Sequence, residues 1–274
     1  MKTNYDIYKV KIKKEKYMIL SFQIILVVTI FSLWEILAQI GVLDKFLFSC
    51  PSEILKLLID NIKSNEIFIH IGYSLLETLI ALFIGTSAGI LLAILLWFSK
   101  KAIKIIDPFL VVLNALPKTA LAPILIVWAG TGVKGIVVVA ISLSLVMTII
   151  SALNFFNSVD EQQIKMLKTF GANKLQILFK LVLPANLVNL ISIVKINIGL
   201  TWVGVIVGEF LVSRFGIGYI VVYGGQVFKM DLVMMGVFVL AILAFIMYLS
   251  VALIEKHYKK KRKDSLWKIK LDYF

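Results

Sequence analysis

The sequence predicts an all-α, polytopic membrane protein, and three observations carry that prediction. Of its 274 residues 60% are hydrophobic, with a mean hydropathy of +0.96, against about 45–50% apolar in a soluble domain. The apolar residues come in blocks of roughly the 20 needed to cross about 30 Å of hydrocarbon. Finally, 21 of the 29 lysines and arginines fall on one side of a six-span arrangement, six fall on the other, and Lys118 and Lys195 lie within spans. Backbone groups in lipid must be satisfied within a segment and these runs are too long for barrel strands, so the spans are helices.

Residues 1–16 are a basic N-terminal tail, and the first span runs Tyr17–Ile40. A cleaved signal peptide is the alternative there. The apolar stretch is too long for one, contains Glu35 and lacks an A-x-A site, which favours an uncleaved span. Residues 41–70 form an outer loop with a short amphipathic helix opened by Pro51-Ser52-Glu53, where Ser52 or a neighbour supplies the cap. The second span is Ile71–Phe98. The third, Pro108–Gly130, carries Pro108, Pro117 and Pro123 and is expected to bend, since proline removes a donor. Ile136–Phe156 is the fourth span, Ala185–Leu211 the fifth and Leu232–Ile254 the sixth. Residues 17–255 therefore read as one transmembrane domain, and 256–274, ending KKKRKDSLWKIKLDYF, as a basic tail in solvent or on lipid headgroups. An even number of spans requires both termini on one side; both are basic, which places them in the cytoplasm. The reading contains no soluble domain and no internal repeat.

Several chemistries are excluded. One cysteine, Cys50, rules out an internal disulfide, and two distant histidines, His70 and His257, make no metal-ligand spacing. No metal site, cofactor or catalytic group is expected, and no Walker-type phosphate loop is present. The +13 net charge fits positive-inside topology better than nucleic-acid binding.

Residues 160–184 interrupt the apolar pattern with a polar, helix-prone elbow. Asp160 and Glu161 favour a helix N-terminus. Ile164, Leu167 and Phe170 make one apolar strip, Gly171 ends the helix in the left-handed region, and Leu175, Leu178 and Phe179 make a second strip. Pro184 then opens the fifth span, where a missing donor costs little. The residues alone are equally consistent with an interfacial loop lying on lipid.

Four stretches carry a family resemblance from about residue 30 to residue 255. Gly171-Ala172 followed by Leu183-Pro184 resembles the EAA signature of permease subunits in binding-protein-dependent ABC importers. Pro51-Ser52, LPKTALAPILIVWAGTG (116–132) and GEFLVSRFGIGYIV (208–221) resemble the nitrate, sulfonate and taurine branch. The signature's Glu-Ala-Ala is replaced by Lys165-Met166-Leu167, with Glu161 one turn earlier. The resemblance implies the type I ABC importer permease fold in the cell membrane. It also implies a coupling helix seated in a groove of a separate ATPase subunit, two permease copies and an external solute-binding protein. On that reading Glu161, Ile164, Lys165, Leu167, Lys168, Phe170, Gly171, Ala172 and Pro184 serve coupling, with Ile164 to Phe170 as the docking strip.

Ionisable residues within spans are costly and default to functional candidates. Lys118 on the kinked third span, and Lys195, Asn197 and Glu209 on the fifth, are candidates for a translocation path for a small anionic solute such as nitrate, a sulfonate or taurine. Lys195 and Glu209 stand roughly 21 Å apart along the helix, too far to pair with each other. Glu35 reads as interfacial and Glu77 as snorkelling toward headgroups; Gly199, Gly204 and Gly208 read as helix-packing positions. Two rivals remain. A stand-alone secondary transporter needs a midplane ion site and inverted repeats, neither of which the sequence displays. A membrane enzyme needs a histidine–carboxylate cluster, and His70 and His257 fall on opposite sides.

Overall fold

The structure is a computed structural model that describes the backbone of residues 4–271, with side chains described at 8 and 12–259. Among the described residues every regular element is helical. The chain divides into two units, Met1–Asn65 with Tyr223–Met235, and Glu66–Val222 with Gly236–Phe274.

In the first unit, α1 (Asn4–Gln39) includes most of the expected N-terminal tail in its helix, and Ile12–Gln39 is long and apolar enough to cross a bilayer. Asp44 caps the single turn of α2 (Lys45–Phe48) by accepting from the Phe46 amide at 2.8 Å. The amphipathic helix α3 (Pro51–Lys63) starts with Pro51 at its first turn, but its N-cap Cys50 makes no side-chain capping bond. The cap comes instead from α1. The Glu35 carboxylate accepts from the Ser52 amide at 2.9 Å and its hydroxyl at 2.8 Å, and from Gln39 Nε2 at 2.7 Å. Glu35 thus satisfies an orphan amide of a second helix.

The second unit centres on α7 (Val133–Asn157). Its buried residues run from Gly135 to Phe156, and small residues on its neighbours let it approach them closely. A Cβ at Gly85 or Gly89 of α4 (Glu66–Trp97) would strike Ser144 or Thr148, and one at Gly135 would strike the Gly130 carbonyl. On α10 (Leu183–Val212), a Cβ at Gly204 would meet the Ala140 backbone and one at Gly208 would meet Ile136 at 3.0 Å. Such small-xxx-small pairs allow the backbone contact that drives helix association in lipid, where apolar surface alone gives no preference for a neighbouring helix. Gly199, expected to do the same, has nothing within 4 Å of its Cβ position.

The expected third span is two helices. α5 (Lys100–Ala115) keeps Pro108 in its interior, while α6 (Lys118–Ala129) starts after Pro117 and contains Pro123. The two are bent by 99°. The break falls at Leu116-Pro117 because a residue before proline is pushed out of the helical region, and Leu116 is extended at ψ 136°. Among the described residues five helices are thus long and apolar enough to span, or six where the bent pair counts as one.

α8 (Glu161–Thr169) and α9 (Lys174–Ile177) make the elbow. α9 does not stop before the fifth span. A π-helical turn over Leu178–Val182 joins it to α10, giving one helical run Lys174–Val212 of 39 residues. The Leu183 amide donates to the Leu178 carbonyl, five residues back. Pro184 follows at the start of α10, where the ladder has already changed register and a missing donor is absorbed. α11 (Ile217–Gln226) and α12 (Met230–Leu271) complete the chain. The expected basic C-terminal tail continues α12 as helix, and its side chains beyond 259 lie outside the described residues.

Candidate functional site

The elbow is closed at both ends by its own sequence. The Asp160 carboxylate accepts from the Gln162 amide at 2.8 Å and starts α8. Gly171, at φ +78°, ends it: its amide donates to the Lys168 carbonyl at 2.9 Å, and the Ala172 amide to the Leu167 carbonyl at 3.0 Å. These two bonds form a Schellman motif, which requires the left-handed conformation that glycine adopts without penalty. Asn173 and Gln176 then cap α9 reciprocally, at 2.8 and 2.9 Å.

The elbow's apolar strip divides. Ile164, Leu167 and Ala172 turn inward and pack against a core that includes Leu153, Phe156, Ile177 and Leu178. Phe170 is 81% exposed and Met166 54% exposed, and four-residue spacing puts both on the outward face. Of the strip Ile164–Leu167–Phe170, only Phe170 is exposed, with Met166 beside it, while Ile164 and Leu167 anchor the helix to the core. Three-residue spacing turns by about 60° per step, so Phe170 has rotated well away from Ile164. Lys165 sits 3.9 Å from Glu161, both exposed, and Lys168 is exposed.

The intramembrane candidates do not come together. Asn197 is fully enclosed, donating to Thr86 Oγ1 at 2.8 Å and Thr148 Oγ1 at 2.7 Å, and so ties α10 to α4 and α7. Glu209, 1% exposed, accepts from Ser74 Oγ and from the Gly218 amide, each at 2.6 Å. Ser74 in turn accepts from the Ile217 amide at 2.8 Å. The glycines of the Arg214-Phe215-Gly216-Ile217-Gly218 turn leave room for this carboxylate, since a Cβ at Gly216 or Gly218 would run into it. Glu209 thus caps α11 from a neighbouring helix and is enclosed within this chain. Glu77 does not snorkel; it is 1% exposed, with its carboxyl group against that of Glu209.

Lys195 is paired with Glu255 of α12, whose other oxygen binds Lys259 at 2.6 Å. Ser192 Oγ also donates to Glu255, at 3.3 Å. Glu255 had no sequence signal as a partner: it follows the sixth apolar run and is 60 residues from Lys195. Lys118 is the exception. It is half-buried at the 99° bend, its Nζ donates to Asn114 Oδ1 at 3.4 Å, and no carboxylate lies within ion-pair distance among the described residues.

The comparisons with known proteins agree with this architecture. Residues 85–260 match the family described as binding-protein-dependent transport system inner membrane component. The chain belongs to that family. Among the inner-membrane components it resembles is the taurine transport system permease TauC of Escherichia coli, 24% identical over 230 residues, 82% of this chain and 84% of that one. A Bacillus subtilis relative named for aliphatic sulfonates transport, SsuC, is 26% identical over 240 residues, 87% of each chain. The formylaminopyrimidine transport permease ThiX of Halalkalibacterium halodurans is 29% identical over 188 residues, covering 68% of this chain and 74% of its own. Among solved structures, the inward-facing MetNI methionine ABC transporter matches with a TM-score of 0.63 at 17% identity, covering 70% of this chain and 97% of that one. That likeness places this inner-membrane component in the type I importer permease fold.

Proposed function

We propose that this chain is the permease subunit of an ATP-driven importer, forming, as a pair of copies in the cytoplasmic membrane, the path of a small solute brought by an external binding protein. A separate ATPase subunit grips the elbow from the cytoplasm. Closure of the ATPase pair on ATP moves the elbows and biases two helix packings, one open outward and one inward. The permease itself breaks no bond.

The observation that carries this reading is the doubly capped elbow with Met166 and Phe170 outward. A short rigid helix anchored by Ile164 and Leu167 transmits a push to α10 through the unbroken run Lys174–Val212, whereas a loop lying on lipid has no need of fixed caps. Counting the bent α5–α6 pair as one crossing gives six spans, and with two basic termini this supports a cytoplasmic location for both ends. The sulfonate and taurine relatives support an anionic solute, and Lys118, the one candidate cation without a carboxylate partner, suits that charge. Lys195, already paired, is withdrawn from the path.

The test is reconstitution in vesicles with a candidate ATPase subunit and a candidate binding protein from the same organism. Uptake of a sulfonate or taurine is expected only when all three are present with ATP, and Lys118→Gln is expected to reduce uptake at least tenfold with the complex still assembling. Uptake by the isolated chain would overturn the importer reading, and full uptake by Lys118→Gln would remove that residue from the path.

A further inference from the structure

We propose that a lysine-walled cleft beside the elbow holds the phosphate headgroup of an acidic phospholipid. This goes beyond the transport reading and needs only that the chain crosses a bilayer. The cleft encloses about 770 Å³. Its walls carry Lys100, Lys101 and Lys104 from α5, Lys165 and Lys168 from α8, and Lys174 from α9, with Glu161 as the only carboxylate among the lining residues. Lys174 Nζ donates to the Phe98 carbonyl at 3.0 Å, and Lys165 has its long contact to Glu161. The other four have no carboxylate within ion-pair distance among the described residues.

Three features choose a lipid phosphate as the occupant. The first is depth. Trp97 ends the span Glu66–Trp97, Asn157 ends Val133–Asn157 and Lys174 begins Lys174–Val212, and all three line the cleft. The cleft therefore sits at the ends of three apolar helices, and Trp97, packed edge-on to Phe98 at 5.5 Å, is a side-chain type that settles where hydrocarbon gives way to headgroups.

The second is charge against dipole. α5 has no acidic residue in its first turn, and instead Lys100, Lys101 and Lys104 follow its N-cap Ser99. Cations at the positive end of a macrodipole are unfavourable, and an anion seated there relieves both. The third is the mixed lining. Lysines stand over Phe98, Ile103, Ile164 and Ile177, so ammonium groups meet phosphate while the apolar floor meets the glycerol and first methylenes. Basic pockets between spans are known headgroup sites on these grounds. The replacement of the signature's glutamate by Lys165 adds to this wall.

The cleft lies on the side of α8 away from Met166 and Phe170. Glu161, Ile164, Lys165 and Lys168 share one side of α8, and Met166 and Phe170 point elsewhere.

The experiment uses the full transporter complex in nanodiscs of equal parts phosphatidylcholine and phosphatidylglycerol, with retained lipids counted by native mass spectrometry. Wild type is expected to retain phosphatidylglycerol selectively. Lys100→Gln/Lys101→Gln/Lys104→Gln should lower that selectivity by about fivefold per charge, the factor equivalent to about 1 kcal/mol for each lysine at an anionic surface. The matching lysine-to-arginine variant should restore it, and Lys45→Gln/Lys56→Gln/Lys63→Gln, an equal charge loss elsewhere, should leave it unchanged. Equal loss in the last variant would reduce the effect to net charge and overturn the site. Displacement of phosphatidylglycerol by inorganic phosphate, against chloride of equal ionic strength, would make it a free-anion site. Retained lipid selectivity with loss of the ATPase from the glutamine variant would assign the cleft to an acidic protein surface.

Discussion

Glu35 and Glu209 solve one problem at two places in the chain. Each is a carboxylate on a long apolar helix, and each accepts an amide from the first turn of a short helix, Ser52 of α3 or Gly218 of α11. A glutamate there supplies negative charge at a helix N-terminus and satisfies a donor that lipid cannot. Lys195 and Glu255 form the other costly pair, and its value is measurable. Removing Glu255 strands Lys195, whereas removing Lys195 leaves Glu255 with Lys259 and Ser192 and should cost less. Lys195→Met and Glu255→Met should each lower the melting temperature in detergent. The double variant should recover part of the loss, with a coupling energy of about 0.5–3 kcal/mol. Strictly additive losses would show that the pair contributes nothing and would return Lys195 to the path candidates.

At the scale of elements, small residues decide which helices touch. Gly204 lies against Ala140 of α7 and Gly208 against Ile136, while Gly199, one turn earlier on α10, lies against nothing. The sequence presents the three as equivalent, because glycine spacing says nothing about which neighbour is present. Their substitution should separate them. Gly204→Leu is expected to destabilise by about 1–3 kcal/mol or more through overpacking, and Gly199→Leu to stay within about 0.5 kcal/mol, as at an open surface position. Thermal unfolding of the two purified variants measures this; equal destabilisation would remove the packing account. Prolines behave in the same context-dependent way. Pro108 stays within α5 and Pro184 within α10, and only Leu116-Pro117 breaks the path of the helix, by 99°.

For the whole molecule the question is how the proposed push at the elbow would reach the membrane. α8 is anchored inward through Ile164 and Leu167, and the run from Lys174 to Val212 is continuous helix. At 1.5 Å per residue that run is about 58 Å long, more than the hydrocarbon thickness, so part of it extends past the hydrocarbon. Met166→Ser/Phe170→Ser should weaken ATPase association at least tenfold in a pull-down, the size of effect expected from losing two exposed anchors. Its melting temperature should match wild type. Leu167→Ala should do the reverse, lowering stability with association retained in the folded fraction. If Met166→Ser/Phe170→Ser binds the ATPase as wild type does, the outward face is not the coupling surface.

Local chemistry determined the helical class, the apolar spans, the cap at Asp160 and the turn at Gly171, since each depends on residues within a few positions of one another. The tertiary structure alone decided that Glu209 and Asn197 are enclosed, that Lys195 is neutralised by Glu255, that Pro184 lies within a continued helix, and which side of α8 faces out. Those outcomes depend on partners far along the chain, and on rotations of about 100° per residue that turn an apparent stripe into two faces. A sequence records which side chains carry charge or bulk; only packing fixes what each one meets.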